Sequence, residues 1–102
     1  MSDTTPVVRH EPDAHRFAIY VDEVLAGFTE YLERAHGTRF NFVHTEIDLA
    51  FGGQGLGSVL VRTALEETRD LGKTIVPFCP FVVAWLQKHP EFDGVVDWPE
   101  SK

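Results

Sequence analysis

The sequence predicts an α+β fold in which a mixed, mostly antiparallel sheet packs with two main helices. Four segments rich in β-branched and aromatic residues lie before residue 48, separated by turn sequences. A glycine-rich loop then opens the longest amphipathic helical pattern, and one more strand and helix follow. Because the chain has only 102 residues, we expect a single domain over 1–102, with residues 1–6 loose.

The first half of the chain predicts four antiparallel strands joined as a meander. They cover Val7–Arg9, Phe17–Val21, Val24–Glu33 and Arg39–Ile47. Side chains alternate between the two faces of a strand. This alternation places Val24, Ala26, Phe28 and Leu32 on one face of the third strand. It likewise groups Phe40, Phe42, His44 and Glu46 on the fourth, and we expect that strand to be central and covered on both faces.

The second half predicts helix, strand, helix and an extended end. The helix Gly55–Leu71 has a polar stripe at a spacing of three or four residues, and Gly72 terminates it. A strand over Thr74–Phe78 and a helix over Pro80–Lys88 follow, and Phe92–Trp98 is expected to form a strand or extended tail. The strand-helix-strand crossover predicts that the fourth and fifth strands are parallel neighbours.

Composition restricts the classes of partner. The formal net charge is -7, from 16 acidic and 9 basic residues, which argues against nucleic acid and anionic membranes as partners. A basic or amine-bearing partner is compatible with this charge, although acidic balance is also common in cytosolic proteins. The lone cysteine, Cys79, excludes an internal disulfide, and Met1–Thr5 contains no apolar leader. We therefore predict a cytoplasmic protein, monomeric or weakly homodimeric.

The glycine-rich loop Gly52–Ser58 joins a strand to a helix, where free backbone N–H groups can bind an anion. The nucleotide-hydrolase phosphate loop requires a lysine after its last glycine, and here Gly57 is followed by Ser58. The dinucleotide fingerprint requires a different glycine spacing. A loop for the pyrophosphate of coenzyme A and a tight turn without a ligand both remain open.

Four sequence blocks resemble a compact subfamily of the GNAT acetyltransferases. They are His44-Thr45-Glu46, Gly53-Gln54-Gly55-Leu56-Gly57, Pro77-Phe78-Cys79-Pro80-Phe81 and His89-Pro90-Glu91, in that order along Val7–Trp98. The resemblance implies a GNAT-like fold whose fourth and fifth strands splay apart around the pantetheine arm of acetyl-coenzyme A. It implies that the donor contacts Glu46, Ile47, Gly53, Gln54, Gly55, Leu56, Gly57 and Ser58.

The chain departs from the GNAT pattern in three ways. Gly52 stands where the glycine motif usually begins with Arg or Gln, which removes a side chain but keeps the backbone groups. Trp85 lies near the position of the tyrosine that donates a proton in many GNAT enzymes. The two helices that usually follow the first strand are missing, so we expect an open acceptor site or one completed by another subunit.

Cys79 is a candidate catalytic residue because it directly precedes Pro80, at the start of the last helix. A helix N-terminus stabilises a thiolate. The thiol is then either a general acid for the departing coenzyme A or a nucleophile that carries the acetyl group. The resemblance also implies a cysteine near the acetyl group. The alternative is a small buried residue with no chemical role.

Glu46 and His44 are the candidate bases for the incoming amine. Glu46 could instead make a structural hydrogen bond to the glycine loop, and His44 could be a core histidine beside Phe40 and Phe42. The five histidines show no metal-ligand spacing, so no metal site is predicted. The leading hypothesis is an acetyl-coenzyme A-dependent N-acetyltransferase acting on an unidentified amine. The alternative is a non-catalytic acyl-coenzyme A binding module or sensor.

Overall fold

The computed structural model describes residues 5–99. Its strands are β1 (Val7–Glu11), β2 (Arg16–Val21), β3 (Val24–Arg34), β4 (Arg39–Ile47) and β5 (Thr74–Pro77). Its α-helices are α1 (Leu56–Asp70) and α2 (Pro80–Gln87), and short 3-10 helices cover Pro12–Ala14, Leu49–Phe51 and Pro90–Val95. The strands form one sheet in the order β1-β2-β3-β4-β5. Part of the segment expected to be loose, residues 1–4, lies outside the described residues.

The sheet confirms the predicted α+β fold. β1 to β4 pair antiparallel in chain order, and β5 pairs with β4 in parallel through the α1 crossover. The expected strand or extended tail over Phe92–Trp98 is wrong for residues 92–95, which belong to the 3-10 helix Pro90–Val95; beyond it, Val96 is extended and forms a parallel bridge to Ile75 of β5. Pro90 fixes the backbone angle φ at a value suited to starting this helical turn, which favours it over a strand.

One apolar cluster fills the space between the sheet and both helices. Aromatic side chains from three strands form its centre, with Tyr31 stacked on Phe40 at a centroid distance of 4.1 Å. α1 contributes Leu60 and Leu65, and α2 contributes Val82, all fully buried. At roughly 25 cal/mol per Å² of buried apolar surface, this cluster is the main stabilising contribution of the fold.

A β-bulge in β4 reverses the side-chain alternation that the sequence predicts there. Glu30 of β3 lies opposite His44, whereas the next residue, Tyr31, lies opposite Phe42, so Val43 has no counterpart. An extra residue in one strand moves all later side chains to the opposite faces. His44 and Glu46 are therefore exposed on the face away from the core, and their predicted common face with Phe40 and Phe42 is wrong.

The two sheet faces differ in how they are covered. Both helices bury their apolar side chains on the face of Tyr31 and Phe42. The other face is open: Val43 is 37% exposed and Leu32 is 41% exposed. The expectation that β4 is covered on both faces is therefore wrong in the described part of the chain. The predicted grouping on β3 also differs, because Ala26 is fully buried whereas Leu32 faces the open side.

β4 and β5 separate halfway along β4. Their ladder ends at the pair Phe42 and Pro77, and the carbonyl of Phe42 then accepts hydrogen bonds from the backbone N–H groups of Phe78 and Cys79, both at 2.9 Å. β4 continues to Ile47 while the chain after β5 turns into α2. The strands thus leave a gap beyond Phe42. Within the described residues, no helix is both long and apolar enough to cross a membrane.

Candidate active site

The gap between β4 and β5 exposes strand backbone that could bind an extended ligand. The N–H of Asp48 donates to the carbonyl of Ala26 on β3 at 2.8 Å. Alternation along an antiparallel ladder then directs the backbone groups of Glu46 toward β3 and those of Thr45 and Ile47 toward the gap. Of the two β4 residues that the resemblance places against the donor, Ile47 therefore directs its backbone groups toward the gap, whereas those of Glu46 face β3.

The glycine loop places a helix N-terminus directly after this part of β4. Gly53 and Gly55 have φ values of +79° and +73°, in the left-handed region that side chains with a Cβ rarely adopt. Gly55 is the N-cap of α1, and no atom lies within 4 Å of a Cβ built on either glycine. The loop is consequently open to solvent on the side where a ligand could approach.

Gly57 is required for packing rather than for an unusual backbone angle. A Cβ built there would lie 2.5 Å from the Cζ atom of Phe81, which belongs to α2. Because real Cβ atoms do not approach other atoms so closely, any side chain at this position must displace the Phe81 ring. The glycines of the motif therefore serve two roles: Gly53 and Gly55 adopt left-handed backbone angles, and Gly57 leaves room for the Phe81 ring.

The first turn of α1 presents free donors. The N–H of Val59 donates to the carbonyl of Gly55, so the N–H groups of Leu56, Gly57 and Ser58 precede the first intrahelical bond. The hydroxyl oxygen of Ser58 accepts a hydrogen bond of 3.2 Å from the indole N–H of Trp85. This leaves the Ser58 proton available to an anion at the helix N-terminus.

Cys79 is the N-cap of α2 and is only 4% exposed. Its thiol donates a hydrogen bond of 3.3 Å to the Oγ1 of Thr45. Thr45 also shares a hydrogen bond of 2.8 Å with the buried hydroxyl of Thr29. Thr45 therefore lies on the core side of β4, and Cys79 reaches β4 just past the end of the β4–β5 ladder.

His44 and Glu46 lie on the opposite side of β4. Their Nε2 and Oε1 atoms are 3.8 Å apart, and both side chains are more than half exposed. The His44 ring lies 6.0 Å from the ring of Phe28, which faces the same open side. The candidate proton donor and the candidate base thus flank β4 from its two faces, with the gap between them.

The structure brings most of the predicted site residues to one end of the sheet. Glu46 and Ile47 lie on the part of β4 beyond the β4–β5 ladder, the glycine loop follows them along the chain, and Cys79 contacts Thr45 on the same part of β4. Thr45 was missed as a partner of Cys79, although it lies in the same sequence block as His44 and Glu46. The bulge at Val43 turns Thr45 toward the core, and the sequence of β4 does not reveal this bulge.

Within residues 5–99, no three His, Cys, Asp or Glu side chains gather closely enough to hold a metal ion. The site is instead built from backbone N–H groups, one thiol, one imidazole and one carboxylate. Such a set can bind an anion at the helix N-terminus and exchange protons at the end of β4.

Comparison with known proteins agrees with this geometry. The family model of the GCN5-related N-acetyl-transferases matches residues 16–95. Among solved structures, a GCN5-like protein from Staphylococcus aureus has a TM-score of 0.67 at 22% identity, over 92% of this chain and 90% of that chain. A ribosomal-protein-alanine N-acetyltransferase from Brucella melitensis biovar Abortus 2308 has a TM-score of 0.59 at 13% identity, over 99% and 96%.

No curated protein matches the chain in a sequence comparison. At such low identities the solved structures support the fold, whereas the family match carries the assignment. The matched residues cover well over half of the sequence and include the glycine loop, Glu46 and Cys79. The chain therefore belongs to the GCN5-related N-acetyltransferase family and has the GNAT fold of these acyltransferases.

Proposed function

We propose that this N-acetyltransferase uses acetyl-coenzyme A as its donor and holds it along the gap between β4 and β5. The observation that carries the proposal is the ending of the β4–β5 ladder at Phe42, on the strand that leads into the free helix N-terminus of α1. An extended amide-containing arm fits the free backbone of Thr45 and Ile47. A pyrophosphate fits the N–H groups of Gly53–Ser58.

Backbone groups and the helix dipole supply the attraction for the pyrophosphate. The segment Gly52–Ser58 contains no basic side chain, and the whole chain carries a net charge of -7. The aligned peptide dipoles of α1 place about half a positive charge at its N-terminus. A pocket of about 290 Å³ lies beside Ser58, lined also by Trp85, Lys88 and His89 of the α2 region, and we assign the nucleotide end of the donor to it.

Proton transfer is assigned to the residues that flank β4. Glu46 takes a proton from the incoming ammonium, directly or through water, and His44 orients this carboxylate from 3.8 Å. The amine nitrogen then forms its bond to the acetyl carbon as the carbon–sulfur bond breaks. Cys79 supplies its proton to the departing sulfur and regains one from the nitrogen, which leaves a neutral amide. In the acyl-carrier version, the Cys79 sulfur first bonds the acetyl carbon while its proton goes to the departing coenzyme A sulfur, and Cys79 regains a proton when the amine displaces it.

A non-catalytic acyl-coenzyme A module is the second candidate, and the surroundings of Trp85 favour it. The indole is 6% exposed, donates its N–H to Ser58 and stacks on His89 at 3.6 Å between centroids. An indole cannot protonate a thiolate near neutral pH. Without Cys79 as the acid, the described site would bind the donor and lack a proton source other than water.

The test separates donor binding from transfer. Calorimetric titration with coenzyme A measures binding, and intact-protein mass spectrometry after incubation with acetyl-coenzyme A detects acetyl-Cys79. Release of free thiol in the presence of a panel of primary amines measures turnover for wild type, Cys79→Ala, Glu46→Gln and the control Asp70→Asn at the C-terminal end of α1. We expect binding in all four proteins, with turnover reduced at least tenfold in the first two variants only.

Each alternative has its own outcome. An acetyl adduct that disappears in Cys79→Ala assigns the acyl-carrier role, and turnover without an adduct assigns direct transfer. Binding without turnover supports the non-catalytic module. Absence of coenzyme A binding overturns the proposal. A cytoplasmic location and a monomeric or weakly dimeric state stay predictions from the sequence.

A further inference from the structure

A second cleft, of about 400 Å³, opens at the end of the sheet beside the candidate base. It lies between residues 25–28 of β3 and residues 46–49, where β4 ends and the loop begins. Pockets of roughly 300–1,000 Å³ are typical of sites that bind small molecules. The backbone of Ile47 borders both this cleft and the β4–β5 gap, so a ligand here lies next to the assigned donor arm.

Gly27, one of the lining residues, is required by the close packing of β3 against β4. A Cβ built at Gly27 would lie 2.5 Å from the carbonyl oxygen of Glu46 and 2.5 Å from Cδ1 of Ile47. β3 and β4 therefore approach each other too closely at this point for any other residue.

The lining combines negative charge with apolar surface. Glu46 and Asp48 contribute two carboxylates, and no lysine, arginine or histidine is among the lining residues of the described chain. The guanidinium of Arg16 lies over the ring of Phe28, a lining residue, and is paired with Glu11 at 2.7 Å. Asp48 accepts the N–H of Ala50 through one oxygen, and Glu46 lies 3.8 Å from the Nε2 atom of His44, so each carboxylate keeps acceptor capacity for a cationic ligand.

Leu49 provides an independent observation that points to a ligand. It is 95% exposed at the rim of the cleft, within a 3-10 helix capped by the side chain of Asp48. Leu25, also on the lining, is 37% exposed, and Phe28 contributes an aromatic ring. Apolar side chains held at the mouth of an acidic cleft match a ligand that carries both a cation and an apolar body.

We propose that this cleft binds the acceptor, a small primary amine with an apolar or aromatic body. The inference rests on the proposed function and narrows its acceptor class. The ammonium group lies between Glu46 and Asp48, where Glu46 can take its proton, and the apolar body contacts Leu49, Leu25 and Phe28. The same arrangement disfavours acceptors that are anionic around the amine, because they would meet two carboxylates.

The experiment measures amine binding without any donor. Amide chemical shifts of the ¹⁵N-labelled full chain are followed during titration with phenethylamine, and separately with phenethyl alcohol, which lacks the charge. We expect shifts at residues 25–28 and 46–49 with the amine, and binding of the alcohol at least fivefold weaker. Shifts elsewhere only, or equal binding of both compounds, would overturn the proposal.

Two variants and one control make the test residue-specific. Asp48→Asn keeps an acceptor for the N–H of Ala50 and removes one charge, and it should weaken amine binding three- to tenfold. Leu49→Ser should weaken phenethylamine binding more than methylamine binding. Asp70→Asn, at the far end of α1, should change neither. Unchanged amine affinity in Asp48→Asn contradicts the assignment of the acceptor to this cleft. The proposed donor site is tested separately, by coenzyme A binding.

Discussion

The thiol of Cys79 donates a hydrogen bond to the hydroxyl oxygen of Thr45, at 3.3 Å, and thereby ties the start of α2 to β4 just past its bulge. Thr45 in turn pairs with the fully buried hydroxyl of Thr29 at 2.8 Å. The three side chains form a continuous polar chain inside an otherwise apolar core. Buried networks of this kind stabilise a fold only when each member is satisfied.

Removing the Thr45 hydroxyl alone should therefore lower the free energy of unfolding more than removing the hydroxyls of both Thr45 and Thr29. Thr45→Val leaves the Thr29 hydroxyl buried without its partner, and we expect the free energy of unfolding to fall by about 1–2 kcal/mol. Adding Thr29→Val should recover part of this loss. Urea denaturation measures both, with Thr63→Val on α1 as the control. Strictly additive losses would show that the two hydroxyls do not depend on each other.

The contact of Gly57 with Phe81 predicts that Gly57→Ala affects stability differently in wild type and in a Phe81→Ala background. Alanine is favoured over glycine inside a helix by about 1 kcal/mol. In wild type, the Phe81 ring lies 2.5 Å from the position that a Cβ at residue 57 would take, so Gly57→Ala should give no gain in stability. In the Phe81→Ala background the same substitution should stabilise the protein by about 1 kcal/mol. An equal effect in both backgrounds, measured by urea denaturation, would contradict the packing role.

Gly55 should resist substitution because of its backbone angle. Its φ of +73° lies in the left-handed region, where a residue with a Cβ costs about 1–2 kcal/mol. We expect Gly55→Ala to lower the free energy of unfolding by that amount. Gly94→Ala is the matched control, because open space surrounds its Cβ position and its φ is not left-handed. Thermal denaturation of both variants checks this, and equal melting temperatures would refute it.

His10 should make stability decrease in mild acid. Burial lowers its pKa below 6.5, opposed by the charges of Glu67 and Glu33. The unfolded chain then binds a proton at this position more readily than the folded chain. The free energy of unfolding is unaffected by His10 above pH 6.5 and decreases as the pH falls through and below that value.

Replacing His10 isolates its share of this pH dependence. In His10→Gln, urea denaturation between pH 5 and pH 8 should show a shallower decrease toward acid than in wild type. His36→Asn is the control, because His36 is exposed in a turn whose left-handed angle asparagine tolerates. An identical slope in His10→Gln and wild type would exclude His10 as the group responsible.

Much of the candidate site could be predicted because local patterns encode it. The glycines before the helix Leu56–Asp70 mark the turn that opens this helix, and Cys79 before Pro80 marks a helix start. The expected extended end was wrong over residues 92–95, because their apolar spacing also fits a 3-10 turn that begins at Pro90. A short apolar run does not by itself distinguish these structures.

The order of strands and helices, the parallel crossover and the position of the glycine loop follow from local sequence features, since hydrophobic period, glycines and prolines act locally. The face of β4 that each candidate residue occupies depends instead on how β4 pairs with β3. The bulge at Val43 moved Glu46 to the open face and Thr45 to the core. A bulge arises from the pairing of two strands, and side chains change face by a single residue of slip. The sequence of β4 alone therefore does not predict the bulge.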